Sequence, residues 1–346
     1  MEESAEVSAS TGRVRFPGIS PRAYEHPVDR GALATLRMAP GFAEVLKAMA
    51  GLFHERGEQL MALGSAIRVG SAQYPEIDRL RRECAEALDV GPVPQVFVAR
   101  GAEAYAMTIG MDEPFVVLST GLVELLDAEG LRFAIGHEMG HVLSGHAVYR
   151  TMLLRLIKLQ LSMSWTPVSA LGLRAVVAAL NEWFRKAELS CDRAGLLCGQ
   201  DPQAALRAHV LLAGGVDPAQ VDVPSFLQQA AEYENVEDIR DSLLKLRNIE
   251  LMSHPLAVVR AAELQKWAAS PEYRAVLGGD YPRRDGDEPQ ATWASDVKSA
   301  ARSYKDTFTA SADPLAKVFA DVGEAVSGAA GKVWGRFTGN GDSDKA

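Results

Sequence analysis

A chain of 346 residues, 47% of them hydrophobic, has room for one large domain or two ordinary ones and for a sizeable core. Its net charge of −9, with a pI near 5.4 and no arginine-rich stripe, argues against nucleic acid as a partner. Cys84, Cys191 and Cys198 are odd in number and lack CxxC spacing, which argues against a disulfide framework or a thiolate zinc site and fits a reducing cytoplasm.

Residues 1–25 are rich in Ser, Glu, Gly and Pro without periodicity and read as a disordered or loosely docked arm. The opening MEESAEVSAS has neither a basic nor an apolar signal region, so no export signal is expected. From 29 to 89 the pattern is helical, with Pro40 and Pro75 suited to first-turn positions. Cys84 falls in register with Ile77, Leu80 and Leu88, the place of a small buried hydrophobe, and His54 stands alone as a surface or core residue.

After Gly91-Pro92 come β-rich runs, Val96 to Val98 and Phe115 to Leu118, with 104–110 between them. An edge strand can pair with an extended polypeptide, and Tyr105, Ala106, Met107, Thr108 and Ile109 form the candidate for such a substrate contact; an internal strand without substrate contact fits these residues equally well. Ser119-Thr120-Gly121 starts a short helix, and Asp127 caps the next.

That next helix carries His137-Glu138-Met139-Gly140-His141, a HExxH motif. Residues four apart lie one above the other on a helix, so two neutral imidazoles can hold one zinc ion while the glutamate reaches its water as general base. Composition alone would give the pattern roughly once in a hundred such chains, so context must decide. Leu131, Ala134, Ile135, Met139, Val142 and Leu143 recur at helical spacing, which supports a real site. The downstream His146 lies nine residues after His137, where an extended HExxHxxGxxH signature needs ten; on a continuing helix it would face the opposite side, and it is read as structural.

Thr151 to Leu180 is strongly apolar but interrupted by Arg155, Lys158 and Arg174; its longest charge-free run, Leu159 to Leu173, has 15 residues. A membrane span needs about 18 to 20. An amphipathic helical hairpin that covers the site or touches a membrane is therefore expected. Beyond it Glu188 and Asp192 lie four apart on one helical face: Glu188 completes a two-His, one-carboxylate ligand set, and Asp192 accepts the second N–H of a ligating histidine. Cys191 between them reads as packing, since four protein ligands would close the site.

Residues 201–270 form a run of helices containing Ser253-His254-Pro255 and Arg260. His254, placed before a proline at a helix head, is a candidate donor to a developing oxyanion, and Arg260 a candidate partner of Asp192 or Glu188 or a holder of the cleft wall. Pro, Gly and Asp crowd 278–290, which marks a linker. The tail 291–346 carries two helical stripes, with seven basic and seven acidic residues. Self-association, folding back, or contact with a membrane surface or partner through 291–337 are its open readings.

The stretches FVVLSTGLVELLDAEGLRFAIGHEMGHVLSGH, AELSCDRAGLL and SHPLAVVR stand in the order and approximate spacing of the HtpX-like and CAAX prenyl proteases, peptidase family M48 of the gluzincin type. The chain resembles that family over about Val93 to Leu264. The resemblance implies His137, His141 and Glu188 as zinc ligands, Glu138 as base, Asp192 behind a ligating histidine, and His254 with Arg260 near the cleft. Family members often carry Asn where Glu103 stands, and several relatives are polytopic membrane proteins, whereas 151–180 here carries charge.

The expectation is an α+β, mainly helical, zincin-like fold with a small sheet, a metallopeptidase domain over 26–277 with its catalytic core at 93–264, and C-terminal amphipathic helices. The expected function is a metalloendopeptidase with one Zn²⁺ per chain, hydrolysing peptide or unfolded protein by a zinc-activated water with Glu138 as general base, in a setting of protein quality control. A non-proteolytic zinc-containing scaffold or membrane- or partner-binding protein is the alternative. The expected location is the cytoplasm with peripheral membrane contact.

Overall fold

The computed structural model describes residues 12–27, 29–30, 56–110, 112–162, 167–214, 217–234 and 256–286. His54, His254 and the tail 291–346 lie outside the described residues. A four-stranded sheet is laid against helices, and one helix is packed between the sheet and several of the others.

The sheet is built from β1 (Ile67–Arg68), β2 (Val96–Ala99), β3 (Ala106–Ile109) and β4 (Phe115–Ser119), in the order β1-β2-β4-β3. β2 and β4 run parallel, while β1 and β3 pair antiparallel at the two sides. Side chains alternate across a strand, and in β3 this turns Ala106 and Thr108 inward, where both are buried. Thr108 faces Val116 and Ile109 faces Phe115 in the β3–β4 register. Among the described residues no strand pairs with the other side of β3, which is thus an edge.

Before the sheet come α1 (Arg56–Ser65) and α2 (Pro75–Ala87); Pro75 opens α2, where a missing N–H costs nothing. Cys84 is fully buried on the same face of α2 as Ile77 and Leu80. After β4, Ser119 caps the short α3 (Thr120–Leu125) by accepting from Leu122 N at 3.1 Å. Asp127 then caps α4 (Ala128–Leu143), its Oδ1 accepting from Gly130 N at 2.7 Å, a contact of about 1 kcal/mol. Every residue of α4 from Gly130 to His141 is buried, so it is a core helix whose polar side chains there are those of the motif and Arg132, which pairs with Glu83 and Glu129.

The remaining described α-helices follow. They are α5 (His146–Ser162), α6 (Pro167–Gly199), α7 (Pro202–Leu212), α8 (Val223–Glu234), α9 (Ala257–Ala268) and α10 (Pro271–Leu277). Of these, α5, α6 and α7 pack on α4. α5 and α6 pack on each other, and α5 also packs on β3, so 151–162 and 167–180 belong to two helices packed against each other. No helix among the described residues is long and apolar enough to cross a membrane.

α4 and α6 make the closest approach. A Cβ at Gly140 would lie 2.7 Å from Ala194 Cβ, and one at Gly136 would lie 2.6 Å from Cys198 Cβ. These glycines let the α6 backbone ride directly on α4, which sets Glu188 and Asp192 opposite the motif.

Two sequence expectations differ from the structure. The arm expected over 1–25 is, from residue 12 onward, packed into the core: Phe16, Ile19 and Tyr24 are fully buried. Each such side chain contributes about 1.5–3 kcal/mol of burial, which outweighs the polar composition around it. The segment lacks periodicity because it docks in extended and turn conformation. Similarly, the first part of the linker expected over 278–290 is docked on that arm. Ile19 and Arg283 form an isolated antiparallel bridge, and Arg284 pairs with Asp89 at 2.6 Å.

Candidate metal centre

His137 and His141 lie one turn apart on α4, and their rings meet edge to face with centroids 4.9 Å apart. Their Nε2 atoms are 3.2 Å apart. Glu188, from α6, closes the triangle: Oε1 is 3.1 Å from His141 Nε2, and Oε2 is 3.5 Å from His137 Nε2. Ligand atoms held at 2.0–2.2 Å in a tetrahedron lie about 3.3 Å from one another, so the three groups already stand at the spacing a zinc ion requires.

Charge points the same way. Glu188 and Asp192, both about 1% exposed, face one guanidinium, Arg260, so two neutral histidines would leave the buried cluster with an excess of one negative charge. Burial by itself disfavours a charged His137, but the Glu188 carboxylate and the Asp192 hydrogen bond outweigh it and raise its pKa to about 9. Burial pushes His141 well below the usual histidine range, and His141 Nδ1 has no hydrogen-bond partner among the described residues. A cation held among these donors would offset that excess. The donor set fits a dication.

Behind the triangle, His137 Nδ1 lies 2.9 Å from Asp192 Oδ1. Arg260, from α9, grips Asp192 with two nitrogens and reaches Glu188 Oε2 through Nη1 at 2.9 Å. Burial would raise both carboxyls, yet Arg260 holds Asp192 and Glu188 well below the usual carboxylate range. Of the two roles expected for Arg260, the carboxylate partner is the one observed, with both carboxylates at once.

Glu138 is 2% exposed, and its Oε2 accepts from Thr108 Oγ1 at 2.6 Å. Tyr105 precedes β3 and exchanges hydrogen bonds with Ser119: its N–H donates to Ser119 Oγ, and its carbonyl accepts from Ser119 N, both at 2.9 Å. Met107 and Ile109 are half-buried and alternate with Ala106 and Thr108.

Cys191 Sγ also lies within 4.8 Å of a ligand atom of both His137 and His141. Glu188 has its two oxygens 3.1 and 3.5 Å from the histidine Nε2 atoms, the spacing of ligand atoms about one zinc ion, and a fourth protein ligand would close the site to water. We therefore count Glu188, not Cys191, with the two histidines.

His146 is not a member of the triangle, although it lies close to it. α4 ends at Leu143, Gly145 adopts φ +69°, and α5 begins at His146. The rotation argument for a continuing helix does not apply. Instead the turn brings the His146 ring to 5.4 Å from His141, with Nδ1 3.6 Å from Cys191 Sγ and Nε2 3.5 Å from Asp29 Oδ2.

His209, on α7, has no counterpart in the sequence reading. Its Nε2 lies 3.4 Å from Asp192 Oδ2 and its Nδ1 2.9 Å from Ala205 O. A histidine inside an apolar helical run carries no spacing signal toward a carboxylate seventeen positions earlier. A separate cavity of about 610 Å³ is lined from α1, β2 and β4 by Leu63, Phe97 and Phe115; none of the motif residues lines it.

A family model described as peptidase family M48 matches residues 71–268, more than half of the chain. The chain belongs to this family. The M48 match begins at α2, earlier than the resemblance over Val93 to Leu264, and it takes in the whole metal centre. The plastoglobule-localized metallopeptidase 48 of Arabidopsis thaliana is 34% identical over 263 residues, 73% of this chain and 74% of that protein. An HtpX protease homologue from Streptococcus gordonii is 22% identical over 208 residues, 60% of this chain and 62% of that one. Another, from Pediococcus pentosaceus, is 29% identical over 85 residues, 24% and 28% of the two chains. No solved structure matches the chain. As an HtpX-like M48 metallopeptidase it acts by hydrolysing peptide bonds.

Proposed function

We propose that this protein is a zinc metalloendopeptidase that cuts extended or unfolded polypeptide, with one zinc ion held by His137, His141 and Glu188. The observation that carries the reading is the convergence of two imidazole Nε2 atoms and one carboxylate within 3.1 to 3.5 Å of one another. Zinc bound there would supply Lewis acidity and lower the pKa of water.

The chain's own residues do the rest. Asp192 accepts from His137 Nδ1–H, which fixes the tautomer and leaves the Nε2 lone pair facing the other donors. Arg260 keeps Asp192 and Glu188 ionised. Glu138 takes a proton from the attacking water and returns it to the leaving amine. The open edge of β3, from Tyr105 to Ile109, pairs with the substrate backbone. His254 is the proposed donor to the oxyanion.

Cys84, Cys191 and Cys198 are all free and buried, which supports a reducing compartment. We place the protein in the cytoplasm with peripheral membrane contact, in protein quality control. The plastoglobule location named for the Arabidopsis relative supports attachment to a lipid surface.

The test is metal analysis combined with cleavage of a peptide library by wild type and Glu138→Gln. The variant should retain zinc and lose hydrolysis. Equal cleavage by both would remove Glu138 from the mechanism, and stoichiometric zinc without any cleavage would favour the scaffold reading.

A further inference from the structure

Thr108 is fully buried, and a hydroxyl without access to water must find its partner inside the protein. It has two acceptors in reach, both on one residue: Glu138 Oε2 at 2.6 Å and the Glu138 carbonyl oxygen at 3.2 Å. One hydrogen cannot serve both equally. The shorter contact lies within the usual O–H···O range and the longer one beyond it, so the hydroxyl is assigned to Oε2. Among the described residues no ion pair reaches the Glu138 carboxylate, and Thr108 is its hydrogen-bond donor.

The strand that carries Thr108 is itself pinned. Gly110, just after β3, donates its N–H to Thr151 Oγ1 at 2.9 Å, and Thr151 sits on α5. On the other side β3 is zipped to β4 from Ala106 to Ile109. The hydroxyl is therefore delivered to Glu138 by a strand fixed at its end and along one side. A glutamate side chain with three rotatable bonds gains a single orientation from it.

We propose that Thr108 is a positioning residue for the general base: its hydroxyl holds Glu138 Oε2, so that Oε1 is presented for the proton that moves. This rests on the peptidase reading above. Because Thr108 turns toward α4 and not toward the open edge of β3, its loss acts on turnover and leaves substrate affinity alone.

The test uses the full zinc-loaded chain and fluorescein-labelled casein, comparing wild type, Thr108→Val, Thr108→Ser and Glu138→Gln. Val keeps the shape and removes the hydroxyl; Ser keeps the hydroxyl. Thr108→Val should lower kcat about 10- to 100-fold with KM within about twofold, the size expected when a reacting group is misplaced. Thr108→Ser should restore most of the rate. In parallel, the Glu138 carboxyl carbon is followed by NMR in metal-free protein labelled with ¹³C-glutamate and assigned through Glu138→Gln. Its signal should shift in Thr108→Val and stay in place in Thr108→Ser.

A Thr108→Val enzyme with wild-type kcat beside an inactive Glu138→Gln overturns the role of Thr108 and leaves the peptidase reading standing. A change confined to KM, or a Ser variant as slow as Val, overturns it too. An unshifted carboxyl signal overturns it whether or not casein is cut. Glu138→Gln cutting casein as fast as wild type overturns the peptidase reading itself.

Discussion

Arg260 holds Asp192 through a two-nitrogen fork, Nη2 to Oδ1 at 2.5 Å and Nε to Oδ2 at 2.8 Å, across 68 residues of chain. The same guanidinium reaches Glu188 Oε2 through Nη1 at 2.9 Å, so one side chain favours the charged form of two buried carboxylates. Arg260→Met would leave both without their cation, and breaking a buried pair in this way costs about 3–5 kcal/mol. Arg260→Lys keeps the charge but cannot form the fork, and zinc affinity should fall about 10- to 100-fold, as is usual when the support behind a ligand is lost. Urea denaturation of the first variant and chelator competition with the second check the two halves.

The close approach of α4 and α6 gives a second expectation. A methyl at Gly140 has Ala194 Cβ at 2.7 Å, so Gly140→Ala must push the helices apart and carry Glu188 away from His141. Overpacking of this kind costs about 1–3 kcal/mol. Zinc affinity should drop with stability, whereas a purely structural glycine would lower the melting temperature and leave the affinity of the folded protein unchanged. Calorimetric zinc titration distinguishes the two.

Asp29 sets a pH dependence. Burial pushes its carboxyl up to about 6, against the Ser190 hydroxyl that donates to Oδ2 at 2.6 Å and the nearby His26 and Arg30, which lower it. An unfolded Asp titrates near 4. The folded state therefore binds the proton more tightly, and the stability this contributes is complete below pH ~4 and lost as pH rises through about 6. A shift of about two units corresponds to roughly 3 kcal/mol. Asp29→Asn should match wild type near pH 4 and exceed it at pH 7.5, by up to that amount. Melting curves of both proteins at the two pH values decide it, and a constant difference between them would contradict the assignment.

The thiols should be silent in the native protein. Cys84, Cys191 and Cys198 are all at or below 1% exposure, and burial pushes Cys191 and Cys198 well above the usual thiol range. A disulfide reagent at pH 8 should label none of them until urea is added, and then all three.

Local spacing made part of this molecule legible. The four-residue step from His137 to His141 and from Glu188 to Asp192 fixes which side chains share a helical face, and Asp127 marks where the motif helix starts. What spacing does not encode is how one element meets another. The fork of Arg260 depends on α9 packing against α6, and the hydroxyl of Thr108 on β3 lying over α4. His146 shows how one residue redirects a periodic argument: a left-handed Gly145 ends the helix and turns the next ring back toward the first. Phe16, Ile19 and Tyr24 were hidden for another reason, since a segment that docks without regular structure buries its apolar residues one at a time.

The metal centre draws on β3, α4, α6 and α9, so its parts leave the ribosome in sequence. At ~5–20 residues per second, the helix with both histidines emerges roughly ten seconds before Arg260. Until then the two carboxylates of α6 lack the cation that pairs with both of them in the folded centre. A chain still being made therefore carries the motif of a protease without its working centre, and neighbouring nascent proteins meet a finished enzyme only when nearly the whole domain has been released.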